Sequence, residues 1–271
     1  MTDLGLPPQI RACLFDLDGV VTRTAVVHAA AWKETFDSFL EERDGAGYRP
    51  FDAAHDYDEY VDGLPRTDGV RTFLASRGIT LPEGAPDDPP DALTVQGLGN
   101  RKNELVLAKI REGGVEAYDT TLAYIRAVRA RGLATAIVSS SKNCLDVLRA
   151  VDAVGLFDVR IDGVVAAERG LPGKPKPDTF LAAARDLGVR PSEAAVFEDA
   201  LAGMDAGRAG RFGQVVGVDR VGQAEALRAH GADIVVQDLG DLGEIGELGE
   251  PGRSGRSAGR AEPTQTPGGA G

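Results

Sequence analysis

The sequence has little cysteine and little histidine. Only two cysteines, Cys13 and Cys144, and three histidines occur among 271 residues. This set can build neither a disulfide framework nor a zinc site with the usual Cys and His spacing. Cys13 lies in an apolar segment, where a small hydrophobic side chain is its expected role. The composition therefore fits a reducing compartment, and we expect a cytoplasmic protein.

Long apolar runs and an excess of positive charge are also absent. No segment approaches the length of a transmembrane helix, and the first residues lack the basic and then apolar pattern of a signal peptide. With 30 basic and 42 acidic residues, the net charge of −12 disfavours nucleic acid or an anionic membrane as a partner. We expect a monomer without either partner, in which any anionic substrate requires a local group of Lys and Arg.

Apolar strands alternate with helical patterns along most of the chain. The predicted strands are short and apolar, and they cover residues 11–15, 133–138, 159–161, 194–197, 214–218 and 234–236. Such alternation predicts an α/β fold with a mostly parallel sheet that helices cover on both faces.

The segment after the first strand has a different character. It contains predicted helices at 25–40 and 103–110 and a proline-rich loop between them, but few β-branched clusters. This pattern predicts a mainly helical second domain, or cap, inserted into the core. The end of the chain is rich in Gly, Pro, Ser and Thr, which predicts a disordered tail. The predicted division is a core of 1–24 and 113–249, a cap of 25–112 and a tail of 250–271.

Two carboxylates stand at the end of the first predicted strand. Asp16 follows the apolar run directly, Asp18 comes two residues later, and Gly19 permits a sharp turn. Ligands of open α/β sheets bind at the carboxyl ends of the strands. One carboxylate can act as a nucleophile or hold a metal, and the other can transfer a proton. An ordinary polar turn is the alternative, because Asp and Gly are common turn residues.

Three further polar clusters follow later strands. Hydroxyls and amides, which suit a phosphate group, fill residues 139–143, and a proline-fixed loop presents Lys174 and Lys176. Glu198 and Asp199 form a second acidic pair after a strand. Each cluster alone also fits a helix cap, a solvated basic loop or an acidic turn.

Taken together, the four clusters predict one site for phosphoryl transfer. The carboxylates of Asp16, Asp18, Glu198 and Asp199 are hard oxygen ligands, which favour Mg²⁺ over softer metals. Ser139 and Lys174 would hold and neutralise a phosphoryl group while Asp16 attacks it. A carboxylate attacks a dianionic phosphate poorly unless charge is screened, so the mechanism requires the metal and the lysine.

This order of clusters resembles the haloacid dehalogenase superfamily, whose signature is Asp-x-Asp, then Ser or Thr, then Lys, then an acidic pair. The resemblance spans residues 11–236 and implies Mg²⁺, an aspartyl-phosphate at Asp16, and Asp18 as general acid and base. Lys174 fits the pattern Gly-Lys-Pro-x-Pro-Asp. The resemblance also implies a Rossmann-like core with a cap inserted after the first strand.

The cap sequence resembles the β-phosphoglucomutase family. His28 and Trp32 are four residues apart and share a helix face, and with Thr24 they have that family's spacing. Arg66 resembles the cap arginine that holds the second phosphate of the substrate. The resemblance implies that the further substrate-binding residues are Lys102, Asn103, Ser140, Ser141, Lys142 and Asn143.

The implied reaction converts β-D-glucose 1-phosphate into glucose 6-phosphate through the 1,6-bisphosphate, so we expect a phosphorylated sugar as substrate. Two departures from the family leave a different sugar or net hydrolysis open: a long Pro/Asp-rich stretch at 79–99, and Arg23 where relatives often carry an acid. A sugar-phosphate phosphatase on the same scaffold is therefore the main alternative. A non-catalytic phospho-accepting module is a remote one: Lys174, the cap and the proposed distal cations argue against it, because such a module needs no enclosed substrate pocket.

Overall fold

The computed structural model describes residues 4–243. Its centre is a six-stranded, all-parallel sheet in the order β3-β2-β1-β4-β5-β6. The strands are β1 (Ala12–Phe15), β2 (Ala134–Val138), β3 (Val159–Ile161), β4 (Ala194–Glu198), β5 (Gln214–Val218) and β6 (Ile234–Val236). Every predicted strand is present, with bounds within one residue of the prediction. The predicted α/β, Rossmann-like fold is confirmed.

The register of β1 determines where the polar clusters meet. Phe15, the last residue of β1, pairs with Ile137 of β2 on one side and with Phe197 of β4 on the other. The residues that follow these three strands therefore leave the sheet at the same edge. The strand order reverses direction at β1, and ligands of such sheets bind at this kind of crossover point.

Helices cover both faces of the sheet, and successive β1 residues contribute to opposite faces. Phe15 packs with Tyr124 and Phe197 on one face, while Leu14 packs with Phe180 and other apolar residues on the opposite face. The α-helices are α1 (Thr24–Asp44), α2 (His55–Tyr60), α3 (Arg66–Ser76), α4 (Val95–Gly113), α5 (Asp119–Ala130), α6 (Cys144–Ala150), α7 (Gly163–Glu168), α8 (Asp178–Asp186), α9 (Leu201–Ala209) and α10 (Ala224–Ala229).

Helices α1 to α4 enclose a hydrophobic cluster of their own. Trp32 and Phe36 stack with ring centroids 5.0 Å apart, and Phe36 lies 4.0 Å from Phe73. This cluster fits the predicted helical insert after β1, although the proposed domain bounds stay a prediction. The predicted tail at 250–271 lies outside the described residues.

The cap helices differ in extent from the prediction. The helix predicted at 103–110 begins at Val95, because the Thr94 hydroxyl caps it by accepting a hydrogen bond from the backbone N–H of Gly97 (2.9 Å). Helices α2 and α3 were absent from the prediction. Within residues 4–243, no helix combines the length and the apolar character that crossing a membrane requires.

Candidate active site

Asp16 lies at the centre of the strand edge, directly after β1. Its backbone N–H donates to the carbonyl of Phe197 (2.9 Å), which fixes it between β1 and β4. Its carboxylate accepts a hydrogen bond from the buried ammonium of Lys174. The same ammonium donates to the Glu198 carboxylate and to the carbonyl of Val138 (3.2 Å). Lys174 thus connects the carboxyl ends of β1, β2 and β4.

Lys174 is a cation held between two carboxylates. Burial by itself lowers the pKa of Lys174, but the charges of Asp16 and Glu198 outweigh this effect, so its pKa is raised. The ammonium is therefore charged at every physiological pH. A fixed positive charge beside Asp16 is what a phosphoryl group needs on its approach to a carboxylate nucleophile.

Glu198 is held by the backbone that follows it. Its second carboxylate oxygen accepts hydrogen bonds from the backbone N–H groups of Asp199 and Ala200, both at 3.0 Å. A β-carbon at Gly203 on α9 would lie 2.0 Å from this carboxyl group, so a glycine is required there. These contacts fix the orientation of Glu198 toward Lys174.

Three carboxylates could hold a metal ion. Oxygen atoms of Asp16, Glu198 and Asp199 lie within 4.8 Å of one another, and all three residues are buried. Burial raises the pKa of Asp16 and Asp199 above the usual carboxyl range, and the neighbouring carboxylates contribute to this rise. A divalent cation would restore their ionised state. This all-oxygen set fits Mg²⁺.

The Asp18 carboxylate lies outside that group of three. Its Oδ1 accepts a hydrogen bond from the Thr24 hydroxyl and lies 3.6 Å from Nε2 of His28. The Thr24 hydroxyl in turn lies 2.7 Å from that of Thr22. This environment places a hydroxyl group and an imidazole beside Asp18, and it suits a group that exchanges protons. Its predicted role as a metal ligand stays a prediction.

Gly19 completes the Asp16–Asp18 turn, as the sequence predicted. Its φ of +84° is in the left-handed region that favours glycine. A β-carbon here would lie 1.6 Å from Oδ2 of Asp199. The absence of a side chain at Gly19 therefore lets the loops after β1 and β4 approach each other.

His28, Lys102 and Trp32 form a buried group in the cap next to Asp18. The Lys102 ammonium lies 2.9 Å from Nδ1 of His28 and 4.8 Å from the centroid of a Trp32 ring. Burial lowers the pKa of Lys102 to about 7, and burial with the nearby Lys102 lowers that of His28 to about 4. His28 is neutral at pH 7, and Lys102 titrates near that pH.

The loop after β2 connects the core to the cap. The Ser139 and Ser141 hydroxyls accept hydrogen bonds from backbone N–H groups two residues ahead, at 3.0 and 3.1 Å. The Ser140 hydroxyl donates to the carbonyl of Gly63 (2.6 Å). The side-chain amide of Asn143 donates to that of Asn103 (3.0 Å). These last two hydrogen bonds join the loop to cap residues.

Arg66 is positioned by the Pro/Asp-rich stretch that the sequence marked as a departure. Its guanidinium donates to the side-chain oxygen of Asn100 (3.2 Å). The Asn100 amide nitrogen donates to the carbonyls of Pro86 (3.1 Å) and Asp88 (2.8 Å). Asn100 therefore links this loop to Arg66 through hydrogen bonds on both sides of its side-chain amide.

A cavity of about 420 Å³ lies between these groups. It takes its walls from both the core and the cap. Of the predicted site residues, Thr24, Lys174 and Glu198 are not in its lining: Thr24 supports Asp18, and the other two lie behind Asp16. The predicted residues that line it are Asp16, Asp18, His28, Trp32, Arg66, Lys102, Asn103, Ser139, Ser140, Ser141, Lys142, Asn143 and Asp199.

Asp62 lines the same cavity and was not predicted. Burial raises its pKa to about 7, although a hydrogen bond with Tyr57 opposes the rise. Its position four residues before Arg66, in Asp-Gly-Leu-Pro-Arg, was the only available signal in the sequence. An acidic residue beside a glycine is too common in turns for that signal to distinguish it.

The comparisons with known proteins agree with this geometry. The model of the haloacid dehalogenase-like hydrolase family matches residues 10–211. A β-phosphoglucomutase of Mycobacterium tuberculosis is 54% identical over 242 residues, which cover 87% of this chain and 92% of that protein. The chain belongs to the haloacid dehalogenase superfamily, in its β-phosphoglucomutase-like family.

More distant members of this β-phosphoglucomutase-like family also match the chain over most of its length. A β-phosphoglucomutase of Bacillus subtilis is 32% identical and covers 84% of this chain and 89% of that protein. The crystal structure of β-phosphoglucomutase from Clostridium difficile has a TM-score of 0.68 and 26% identity, and it covers 86% of this chain and 93% of that chain. The family resemblance of the sequence is thereby confirmed.

Proposed function

We propose that this chain is a Mg²⁺-dependent β-phosphoglucomutase that converts β-D-glucose 1-phosphate into glucose 6-phosphate through glucose 1,6-bisphosphate. The observation that carries the proposal is the composition of the cavity. The side chains of Asp16 and Asp18 line the cavity. Three basic side chains line it as well: Arg66 and Lys102 come from the cap, and Lys142 comes from the core. A mutase must bind a second phosphate away from the nucleophile, and a hydrolase that uses water as acceptor need not.

The proposed chemistry divides the two aspartates by role. The phosphate of phosphorylated Asp16 passes to the 6-hydroxyl of the sugar, and Asp18 takes the proton of that hydroxyl. The bisphosphate then presents its 1-phosphate to Asp16, and the proton on Asp18 passes to the leaving oxygen. Lys174 and Ser139 stabilise charge on the transferring group. The contacts of Asp18 with Thr24 and His28 support its role in proton transfer.

Asp16, Glu198 and Asp199 are the residues proposed to hold Mg²⁺, with Asp18 as a further predicted ligand. Mg²⁺ bound there supplies charge neutralisation between an anionic carboxylate and an anionic phosphoryl group. Within the chain itself, Lys174 performs part of the same task from behind Asp16. Its contact with Glu198 makes the position of the ammonium depend on the acidic loop after β4.

Turnover requires the bisphosphate to reverse its orientation in the cavity. The hydrogen bonds from Ser140 to Gly63 and from Asn143 to Asn103 join the two walls. We propose that both bonds break in each cycle as residues 25–112 move away from the core. The predicted domain division at 24/25 and 112/113 is part of this proposal.

A sugar-phosphate phosphatase is the second candidate, because the matching family model describes hydrolases. The two functions differ in their product. Supplied with β-glucose 1-phosphate, Mg²⁺ and a trace of the 1,6-bisphosphate, a mutase yields glucose 6-phosphate and little inorganic phosphate. Inorganic phosphate as the main product would refute the mutase proposal.

Two variants assign the roles within this assay. Asp16→Asn removes the nucleophile, so both glucose 6-phosphate and inorganic phosphate should fall to background. Arg66→Ala should reduce mutase turnover by about two orders of magnitude but reduce hydrolysis of p-nitrophenyl phosphate much less, since that ester has no second phosphate. Arg43→Ala is the control, because Arg43 is an exposed arginine in the last turn of α1 that pairs with the neighbouring Asp44 away from the cavity. Equal loss of both activities in Arg66→Ala would contradict the role of Arg66.

We further propose a cytoplasmic monomer that binds neither nucleic acid nor membranes. The net charge of −12 supports the absence of polyanionic partners. Light scattering after size exclusion tests the proposal, and a mass of twice 28.4 kDa would contradict the monomer.

A further inference from the structure

The loop between β5 and α10, residues 219–223, contacts the backbone of both acidic loops in the site. One contact comes from Arg220 and reaches the turn that contains Asp16 and Asp18. The other comes from Gln223 and reaches Asp199. Neither residue lines the catalytic cavity or takes part in the chemistry described above.

Arg220 is held through two of the three nitrogens of its guanidinium group. Its Nε donates to the carbonyl of Gly19 (2.9 Å). Its Nη1 donates to the carbonyl of Gln237 (2.8 Å) and contacts Oδ2 of Asp238 (3.3 Å). The guanidinium carbon lies 3.6 Å from the ring centroid of Tyr118. A cation with this many contacts holds the Gly19 carbonyl to the rigid end of the sheet.

The position of Gly19 affects the metal site because the backbone of Gly19 lies next to the carboxylate of Asp199. A β-carbon on Gly19 would lie 1.6 Å from Oδ2 of Asp199, so the backbone of one loop borders the carboxylate of the other. Gln223 holds that second loop, since its side-chain amide donates to the carbonyl of Asp199 (3.0 Å). The two loops that carry Asp16 and Asp199 are thus held from a common support.

The support itself is rigid. The Asp219 carboxylate accepts hydrogen bonds from the backbone N–H groups of Val221 (3.3 Å), Gly222 (2.7 Å) and Gln223 (2.8 Å). The backbone N–H of Asp219 donates to the carbonyl of Val236 in β6 (2.8 Å). The loop therefore keeps its shape independently of the catalytic residues that it contacts.

We propose that Arg220, assisted by Gln223, is a positioning residue that sets the separation of Asp16 and Asp199 and so controls divalent-metal affinity and the rate of phosphoryl transfer. Groups that orient metal-binding residues from behind change affinity or activity by about 10–100-fold when they are removed. The proposal uses the metal site of the proposed function, but its primary measurement involves no sugar.

The test is an Mn²⁺ titration of the full chain, followed by electron paramagnetic resonance of the free ion. Arg220→Met keeps the aliphatic stem and removes the hydrogen bonds, and the expected result is a Kd for Mn²⁺ raised about tenfold. In steady-state assays, kcat should fall about 10–100-fold while KM for the phosphate ester changes by less than about threefold. Arg220→Lys, which keeps a donor for the Gly19 carbonyl, should recover part of the Mn²⁺ affinity.

Arg228→Met is the matched control, because Arg228 is an exposed arginine on the adjacent helix α10. It should retain wild-type affinity and kcat. Melting temperatures show whether each variant is folded under the titration conditions. If Arg220→Met does not fold, Gln223→Leu replaces it, and its Kd for Mn²⁺ should rise severalfold.

A folded Arg220→Met with wild-type Mn²⁺ affinity would overturn the proposal. If Gln223→Leu has to replace it, wild-type Mn²⁺ affinity in that variant would overturn the proposal as well. An equal rise of the Kd for Mn²⁺ in Arg228→Met and Arg220→Met would also overturn the proposal, because the effect would then follow from the loss of any nearby charge. Failure of the mutase proposal appears separately, as wild-type enzyme that binds Mn²⁺ but forms no glucose 6-phosphate.

Discussion

We predict that the protein takes up a proton through Lys102 when it binds a sugar phosphate at mildly alkaline pH. Burial lowers the pKa of Lys102 to about 7 in the free protein. Lys102 lines the cavity in which we place the dianionic ligand. A phosphate group nearby favours the ammonium form and raises the pKa back toward the ordinary range of lysine.

The expected size follows from the two pKa values. With a pKa of about 7, Lys102 is about 9% charged at pH 8, whereas a lysine at its ordinary pKa of about 10.4 is almost fully charged there. Lys102 should therefore take up about 0.9 proton at pH 8 but only about 0.5 proton at pH 7, where half of the free lysine is already charged. Asp62 also has a pKa of about 7, so a variant has to separate the two contributions.

Isothermal titration calorimetry in buffers with different ionisation enthalpies measures this uptake directly. Asp16→Asn prevents turnover, so it provides the background in which glucose 6-phosphate is titrated with Mg²⁺ present throughout. Lys102→Arg is the matched variant, because arginine keeps a cation in the cavity and does not titrate below pH 12. It should bind the ligand with a much smaller proton uptake at pH 8.

The reasoning is refuted if Lys102→Arg takes up as many protons at pH 8 as the protein with Lys102. Asp62 would then be the group that titrates, and Asp62→Asn would remove the uptake instead. An uptake that is the same at pH 7 and pH 8 would equally refute a lysine with a pKa near 7.

Three further predictions concern contacts around the cavity. Gly19→Ala should lower kcat by about 100-fold, because the added carbon meets Asp199, and a wild-type kcat would contradict the close approach of the two loops. Asn100→Ala removes the hydrogen bond that positions Arg66, so it should raise KM for glucose 1-phosphate by about tenfold and leave hydrolysis of p-nitrophenyl phosphate intact. Equal effects on both substrates would contradict the positioning of Arg66 by Asn100. Ser140→Ala removes a hydrogen bond between core and cap, so small-angle scattering should show a larger radius of gyration in the ligand-free protein. An unchanged radius of gyration would show that this hydrogen bond does not hold the cap closed.

The strands could be predicted from the sequence, because buried parallel strands are short apolar runs bounded by turn residues. The cap helices could not be predicted to the same extent. Helix α4 contains Gly97 and Gly99 in its first turns, and glycine lowers helix propensity. Glycine is nevertheless required at position 97, because a β-carbon there would lie 2.2 Å from the carbonyl oxygen of Ala92 in the segment that leads into the helix. Helix α2 is only six residues long and leaves little periodicity to detect.

The site could be predicted where each residue follows a strand, as Asp16, Ser139 and Asp199 do. The arrangement behind them could not, because it depends on side-chain contacts between segments far apart in the chain. The sequence predicts that Lys174 neutralises a phosphoryl group, but its contacts with Asp16 and Glu198 become visible only in the structure. Its position reflects the need of a buried ammonium for partners of opposite charge.

The two contacts that join the loop after β2 to the cap are both uncharged. Ser140 bonds a backbone carbonyl, and Asn143 bonds the amide of Asn103. Electrolyte screens interactions between charges and leaves bonds between neutral groups almost unaffected. The affinity of the protein for a doubly anionic sugar should therefore weaken with rising ionic strength, while these two neutral hydrogen bonds should persist in concentrated salt.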